Sequence, residues 1–188
     1  MGREVRRVPP NWDHPKQEGH YDGRLQPMYN ERFEDAAAAW KADFAKWEAG
    51  ERPDYCKEEN RSLEFWEWDT TPPERVYYRP WRDEEATWFQ VWETVSEGTP
   101  VTPPFSTTDE LIDYLATHGD FWDQKRGDGP WPRENAAKFV KAGWAPSMIV
   151  QSSPAGNVIT TARDGGMDAL YRRGKKWGAL VACVLAIL

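Results

Sequence analysis

The residues best suited to bind a metal ion lie close together near the start of the chain. Asp13, His14, His20 and Asp22 place two imidazoles and two carboxylates within ten positions. No pair among them has the helical or finger-like spacing at which one element presents two ligands to one ion. Polar turn residues are therefore the favoured interpretation, and no metal site is expected. His118 precedes a glycine and fits a helix end, where positive charge is favourable.

Nucleophilic and cofactor-dependent chemistry has no recognisable signature. Neither Cys56 nor Cys183 lies in a motif typical of an activated thiol, and the Gly-x-Ser-x-Gly elbow is absent. The acidic run 83–85 is typical of a solvated helix start, so a catalytic pair of carboxylates is the weaker interpretation. The glycine turns at Gly127 and Gly165 follow no clear strand and do not predict a phosphate loop. We expect a non-enzymatic protein with no catalytic residue and no cofactor.

Aromatic content is the most informative feature of the composition. Twelve of the 188 residues are tryptophan, in a chain of net charge −7 that is only 39% hydrophobic. Disordered chains are poor in large apolar groups, so this content indicates a folded protein. The acidic balance disfavours nucleic acid as the main partner, because a duplex-binding protein usually presents a basic face.

The tryptophans divide into two groups by their surroundings. One group recurs at helical spacing and is predicted to pack in the core: Trp40, Trp47, Trp88 and Trp92. A second group lies beside prolines, glycines or acids, outside these periodic faces: Trp66, Trp68, Trp122 and Trp131. Because tryptophan and tyrosine dominate binding hot spots, the second group is predicted to contact a ligand or partner.

A denser aromatic and basic cluster offers a more specific hypothesis. It consists of Tyr77, Tyr78, Arg79, Trp81 and Arg82. The rings could stack on a nucleotide base while the arginines bind its phosphate. The alternative, and the commoner arrangement, is a loop pinned to the core by its aromatic residues.

Prolines and glycines predict the domain organisation. They forbid a long helix over residues 1–29, which we expect to form an extended arm with a basic cluster at Arg3, Arg6 and Arg7 and a strand at the edge of a sheet. Residues 30–166 are predicted to form a single globular α+β domain. In it, three to four short helices pack with a small antiparallel hairpin or sheet.

The predicted elements follow from caps and periodicity. Helices are expected over 31–49 with Asn30 as its cap, from Asp83 to Gly98, from the capping box at 107–110 to about Thr117, and from Pro132 to Gly143. Residues 63–68 fit a short strand and a helical turn equally well. Residues 148–160 predict a hairpin with a longer loop.

The C-terminal tail, residues 167–188, is basic and then apolar. Twelve helical residues reach about 18 Å, short of the roughly 30 Å hydrocarbon core of a bilayer, so the apolar run at 177–188 does not predict a membrane span. Burial within the protein or between subunits is the favoured interpretation. Partial insertion into a membrane surface is the alternative.

Three strings carry a resemblance to a known family. They are Met1–Pro9 followed by Trp12 and His14-Pro15, then Thr94–Pro100, then Gly143–Ser147. The chain resembles, over roughly residues 1–166, a family of small accessory proteins of tailed phages and prophages. The resemblance implies a viral origin and an accessory role, and it brings no reaction, ligand or catalytic residue. The C-terminal tail departs from that family's pattern.

The leading hypothesis is therefore a non-enzymatic phage accessory protein of the host cytoplasm. It would bind a host or defence-system protein, for example as an inhibitor. The alternatives are a small-molecule or nucleotide-binding protein that uses the 77–82 cluster, a virion component, and a peripheral membrane protein attached through its tail. Homo-oligomerisation stays open at this stage.

Overall fold

The computed structural model describes residues 2–69, 71–94, 97–153 and 156–168. Helices and strands are mixed, as predicted. Contacts divide the chain into two compact units, one formed by residues 2–14 and the described residues from 83 onward, the other by Pro15–Arg82. The predicted boundaries at residues 29 and 166 are not those at which the contacts divide the chain.

The strands in chain order are β1 (Gly2–Val8), β2 (Tyr29–Arg32), β3 (Tyr78–Arg79), β4 (Trp88–Glu93), β5 (Thr99–Pro100), β6 (Trp144–Pro146), β7 (Ile149–Ser153) and β8 (Gly156–Thr160). The helices are α1 (Phe33–Glu48), α2 (Phe65–Trp68), α3 (Thr108–His118), α4 (Phe121–Arg126) and α5 (Arg133–Ala142). The units that hold them are described separately below.

The first unit is built on an antiparallel sheet with the strand order β5-β4-β1-β6. β1 pairs with β4 on one side and β6 on the other, so it lies inside the sheet and the predicted edge position is wrong. Val5 packs against a core that includes Val91, Leu111, Leu115 and Phe139. Arg3 and Arg7 share the face of Val5, since strand side chains alternate between faces.

The predicted helix from Asp83 to Gly98 is wrong. Asp83–Glu85 form a 3-10 turn, and β4 follows. Gln90, Val91 and Trp92 are all buried, so both faces of the strand are covered and polar residues do not alternate with apolar ones. Apolar residues on both faces of this strand produced the three- and four-residue spacing that predicted a helix.

The remaining predictions for this unit agree with the structure. α3 opens with the predicted capping box, in which Glu110 N donates to Thr107 Oγ1 over 3.2 Å. α5 and the β7–β8 hairpin lie where expected. The short helix α4 was not predicted. Asp120 caps it, accepting hydrogen bonds from the backbone N–H groups of Trp122 and Asp123 over 2.8 and 2.9 Å.

The second unit contains the longest helix, α1, and a small parallel pairing of β2 with β3. The predicted Asn30 cap is wrong, because Asn30 lies in β2 and Arg32 precedes the helix without a capping side chain. Residues 65–68 form the single helical turn α2, one of the two alternatives. Trp47, Cys56 and Phe65 form the buried centre of this unit.

Among the described residues, no helix is both long and apolar enough to cross a bilayer. The predicted basic and apolar tail is residues 167–188, of which residues 169–188 lie outside the described part of the chain.

Candidate functional site

A cavity of about 430 Å³ lies within the first unit. β1, β4, α4, β6 and the segment after β8 contribute its walls. Its volume falls within the range of about 300–1,000 Å³ that is typical of small-molecule sites. The charged residues that line it are Arg3, Glu93, Asp123, Arg126, Asp128 and Arg163.

Arg3 reaches this cavity from the central strand β1. The backbone pairing sets Arg3 opposite Glu93 of β4 and Ala145 of β6. Its guanidinium Nε donates to the carboxylate of Asp120, whose side chain is fully buried. The Nη1 and Nη2 groups of Arg3 make no hydrogen bond with any described residue. The guanidinium therefore neutralises a buried acid through one edge and keeps two donor groups for another partner.

Two indole N–H groups fix two of the acids. Trp122 Nε1 donates to Glu93 Oε2 over 2.7 Å, and Thr99 donates to the other oxygen of Glu93 over 2.9 Å. Trp131 Nε1 donates to Asp123 Oδ2 over 2.6 Å, and Trp131 is 4% exposed. These rings thus hold carboxylates in place at the cavity wall.

Arg126 and Arg163 complete the charged network. Arg126 donates to Asp123 over 3.0 Å and, through Nε, to Asp128 Oδ2 over 2.6 Å. The hydrogen bond from Arg126 lowers the pKa of Asp128, and the same bond raises the pKa of Arg126. Arg163 donates to the backbone carbonyl of Asp128 over 3.0 Å. Asp128 Oδ1 accepts no hydrogen bond from a described residue.

The lining charges balance each other. Three arginines stand against three carboxylates, and the buried Asp120 adds one further negative charge behind the wall. A highly charged anion finds no excess of positive charge here, and the whole chain is acidic. A polar ligand with both donors and acceptors matches the lining better, because it can complete the hydrogen bonds that Arg3 and Asp128 leave open.

The structure brings together only some of the predicted contact residues. Trp122 and Trp131 line the cavity. The predicted basic cluster is split: Arg3 lines the cavity, whereas Arg6 is buried with its guanidinium 4.3 Å from the ring centre of Trp92. Burial lowers the pKa of Arg6. Arg7 is exposed, with its guanidinium 5.4 Å from the ring centre of Phe89.

The 77–82 cluster lies in the second unit and does not form an open stacking site. Trp81 is only 4% exposed and lines neither cavity described for the protein, so its ring offers no face to a base, which corrects the stacking role predicted for it. Tyr78 packs on Tyr29 with ring centres 5.1 Å apart. Arg79 donates to the carbonyls of Asn30 and Trp81. The pinned-loop alternative describes these contacts. Tyr77 and Arg82, the other members, belong to the same unit and line neither cavity described for the protein.

A smaller cavity of about 260 Å³ lies in the second unit beside a ladder of stacked groups. Arg52 lies 3.7 Å from the ring centre of Trp47, Trp47 stacks on Trp68, and Trp68 stacks on Tyr55. Trp68 is thus held inside the ladder. Trp66 is 53% exposed, and its contact role stays a prediction.

The histidines and acids considered for metal binding have other surroundings. His14 is buried, accepts a hydrogen bond from Trp12 Nε1 over 3.2 Å, and meets Trp92 edge to face. His20 packs against Tyr21. In the part of the chain that the structure describes, no three histidine, cysteine or acidic side chains group closely enough to hold an ion.

Sequence reasoning missed most of the charged lining. Arg126, Asp128 and Arg163 lie in segments predicted as turns, and Glu93 lies in a predicted helix. Asp123, and Asp120 behind the wall, received no prediction. One signal was available: Gly119-Asp120 followed by an acid at position 123 is the pattern of a capped helix start. It places two acids and Trp122 on one short segment.

No protein-family model, curated protein or solved structure shows significant similarity to the chain. Two of the three strings quoted in the sequence analysis contribute residues to the cavity wall. Gly2 and Arg3 come from the first string, and Ala145, Pro146 and Ser147 come from the third.

Proposed function

We propose that the protein is a non-enzymatic binding protein that takes up a small polar molecule in the first-unit cavity. The observation that carries this proposal is the Arg3 guanidinium, which lines the cavity with two donor groups that no described residue uses. A binding role needs no nucleophile or general base, and none was nominated from the sequence. The resemblance supports a phage or prophage accessory protein of the host cytoplasm.

The proposal revises the nucleotide alternative. The 77–82 cluster is replaced by a cavity whose arginines are already paired with acids. Polyphosphates are poorly matched to this lining. Uncharged and zwitterionic molecules are the expected ligands.

A cavity-filling variant tests this function. Ser147 lines the cavity, and its hydroxyl makes no hydrogen bond with a described residue, so Ser147→Phe removes volume while leaving the charged network intact. The matched control is Ser62→Phe, at an exposed serine of the second unit.

Calorimetric titration of both variants and the wild type with amino acids, nucleosides, sugars and dicarboxylates provides the measurement. At least one class should bind the wild type and Ser62→Phe, and its binding should be lost in Ser147→Phe. Absence of binding throughout the panel, or binding that Ser147→Phe leaves unchanged, would contradict the proposal.

A protein partner, the leading sequence hypothesis, is the second candidate function. The β7–β8 hairpin favours it, because Val150 and its cross-strand neighbour Ile159 are 43% and 63% exposed, and Val158 is 56% exposed. Exposed apolar groups of this kind are typical of protein-binding surfaces. The partner proposed is a host or defence-system protein.

A double variant separates this candidate from the first. Val150→Ser with Ile159→Ser should abolish co-purification of a specific host protein from infected cells, whereas Ser147→Phe should retain it. Equal recovery of that protein with wild type and double variant would remove the hairpin from consideration. A concentration-dependent increase in mass that the double variant abolishes would indicate a second copy of the chain as the occupant.

A further inference from the structure

Five charged side chains around the cavity form one continuous series of contacts. Arg3 binds Asp120, and Asp120 and Asp123 are joined reciprocally, each backbone N–H donating to the other's carboxylate. Asp123 accepts from Arg126, and Arg126 donates to Asp128. Asp120, Asp123 and Arg126 each contact two neighbours in this series.

The two end members of this series, Arg3 and Asp128, have opposite charge, and each has polar atoms without a hydrogen-bond partner among the described residues. At one end, Nη1 and Nη2 of Arg3 have no hydrogen-bond acceptor among the described residues. At the other end, Oδ1 of Asp128 accepts no hydrogen bond from any residue that the structure describes, and this side chain is 34% exposed. Both residues line the same cavity. The cavity therefore presents one open cationic end and one open anionic end at zero net lining charge.

We infer that the cavity binds a zwitterionic α-amino acid, whose carboxylate accepts hydrogen bonds from Nη1 and Nη2 of Arg3 and whose ammonium group donates to Asp128. The inference rests on the proposed small-molecule function and names its ligand class. Parallel N–H groups of a guanidinium match the two oxygens of a carboxylate, and such charge-assisted pairs are the stronger hydrogen bonds. An ammonium supplies three donors to carboxylate oxygens.

The rest of the lining favours an apolar side chain on that amino acid. Ala145, Pro146 and Ala162 contribute the uncharged wall, beside the ring of Trp122. Burial of apolar ligand surface against these groups is favourable at about 25 cal/mol per Å². L-Phenylalanine and L-leucine are the probes that fit this description.

Comparison of L-phenylalanine with two analogues isolates the two ends of the ligand. L-Phenylalanine keeps both charges, L-phenylalaninamide lacks the carboxylate, and 3-phenylpropionate lacks the ammonium group. Calorimetric titration should show both analogues at least about tenfold weaker than L-phenylalanine, since each loses a charge-assisted pair. N-acetyl-L-phenylalanine and phenylalanylglycine distinguish a free amino acid from the end of a peptide.

Conservative variants test the two protein groups. Arg3→Lys keeps a positive charge beside Asp120 but removes the planar fork, so binding of L-phenylalanine should fall about tenfold while that of the amide changes little. Asp128→Asn should weaken the binding of L-phenylalanine and leave the binding of 3-phenylpropionate nearly unchanged. Arg7→Lys, on the same face of β1 but exposed and outside the cavity lining, is the matched control.

The outcomes separate this inference from the proposed function. Equal affinity for L-phenylalanine and its two analogues would overturn the amino acid assignment. Unchanged binding of L-phenylalanine to Arg3→Lys would overturn it as well. If another class binds and Ser147→Phe abolishes its binding, the cavity remains a ligand site and only the zwitterion inference fails. If nothing binds, both fail.

Discussion

At the scale of single residues, Arg3 and Asp120 form the central contact of the molecule. Asp120 is fully buried, and its two oxygens accept from Arg3 and from two backbone N–H groups at the start of α4. A buried carboxylate that loses its cation keeps its desolvation cost without compensation. Loss of Arg3 is therefore expected to destabilise the fold.

Replacement of Arg3 by methionine should lower the free energy of unfolding by about 3 kcal/mol, because it leaves the Asp120 carboxylate buried without its cation. Urea denaturation followed by tryptophan fluorescence measures this loss. Arg7→Met, at an exposed position on the same face of β1, should cost less than about 0.5 kcal/mol. Equal losses in the two variants would contradict the role given to the Arg3–Asp120 pair.

Asp128 should make stability depend on pH in the acid range. Arg126 lowers the pKa of Asp128 below its ordinary value of 3.8, so the folded state favours the ionised carboxylate. This contribution is fully present above pH 3.8 and is lost as the pH falls through the lowered pKa. Asp128→Asn should reduce stability above that pH, and its difference from the wild type should vanish in stronger acid.

Thermal unfolding between pH 2 and pH 7 measures the effect of Asp128→Asn on both sides of the ordinary aspartate pKa of 3.8. Asp54→Asn provides the control, since Asp54 is exposed and its side chain makes no hydrogen bond or ion pair with a described residue. A constant difference between Asp128→Asn and the wild type across the whole range would show that the hydrogen bond to Arg126 does not control the Asp128 titration.

At the scale of elements, helix starts set the geometry of the cavity. α4 is only six residues long, and its reciprocal capping box, made by Asp120 and Asp123, fixes the acids that Arg3, Arg126 and Trp131 bind. α3 has its own box, made by Thr107 and Glu110. Local capping thus positions groups that distant strands then contact.

Removal of the Thr107 hydroxyl should destabilise the first unit by about 1 kcal/mol, because Glu110 N loses its acceptor at the start of α3. Equilibrium unfolding of Thr107→Ala measures this. Thr108→Ala, one position later and equally exposed, should change stability by less than about 0.5 kcal/mol. A larger loss from Thr108→Ala than from Thr107→Ala would contradict the assignment of the cap.

The sequence predicts elements well where local chemistry specifies them. The α3 capping box, α5 between Pro132 and Gly143, and the β7–β8 hairpin all follow from caps, glycines and periodicity. β4 was mistaken for a helix because residues 90–92 are buried on both faces of the sheet. Burial on both faces is a consequence of tertiary packing, which periodicity within one segment cannot reveal.

The candidate site was less predictable than the fold. Trp122 and Trp131 were selected for their type, but their partners Glu93 and Asp123 belong to different segments joined only by folding. Trp81 was selected for the same reason and is buried. Residue type alone did not separate a ring that lines a cavity from one that fills a core.

At the scale of the whole molecule, the proposed ligand binding involves the first unit. The 430 Å³ cavity lies there, and its lining is electrically balanced within a chain of net charge −7. The second unit carries its own aromatic centre, formed by Trp47, Phe65 and their neighbours. Nothing in the binding proposal requires a group from that second unit.

The most direct test of the account is an NMR titration that follows the indole N–H signals as L-phenylalanine, L-leucine and the other panel compounds are added. Trp122 and Trp131 line the cavity, whereas Trp66 is exposed in the second unit and acts as an internal control. We expect saturable shifts of the Trp122 and Trp131 signals when a zwitterionic amino acid is added, and no shift of the Trp66 signal. Stationary Trp122 and Trp131 signals with every compound tested, or shifts confined to Trp66, would contradict it.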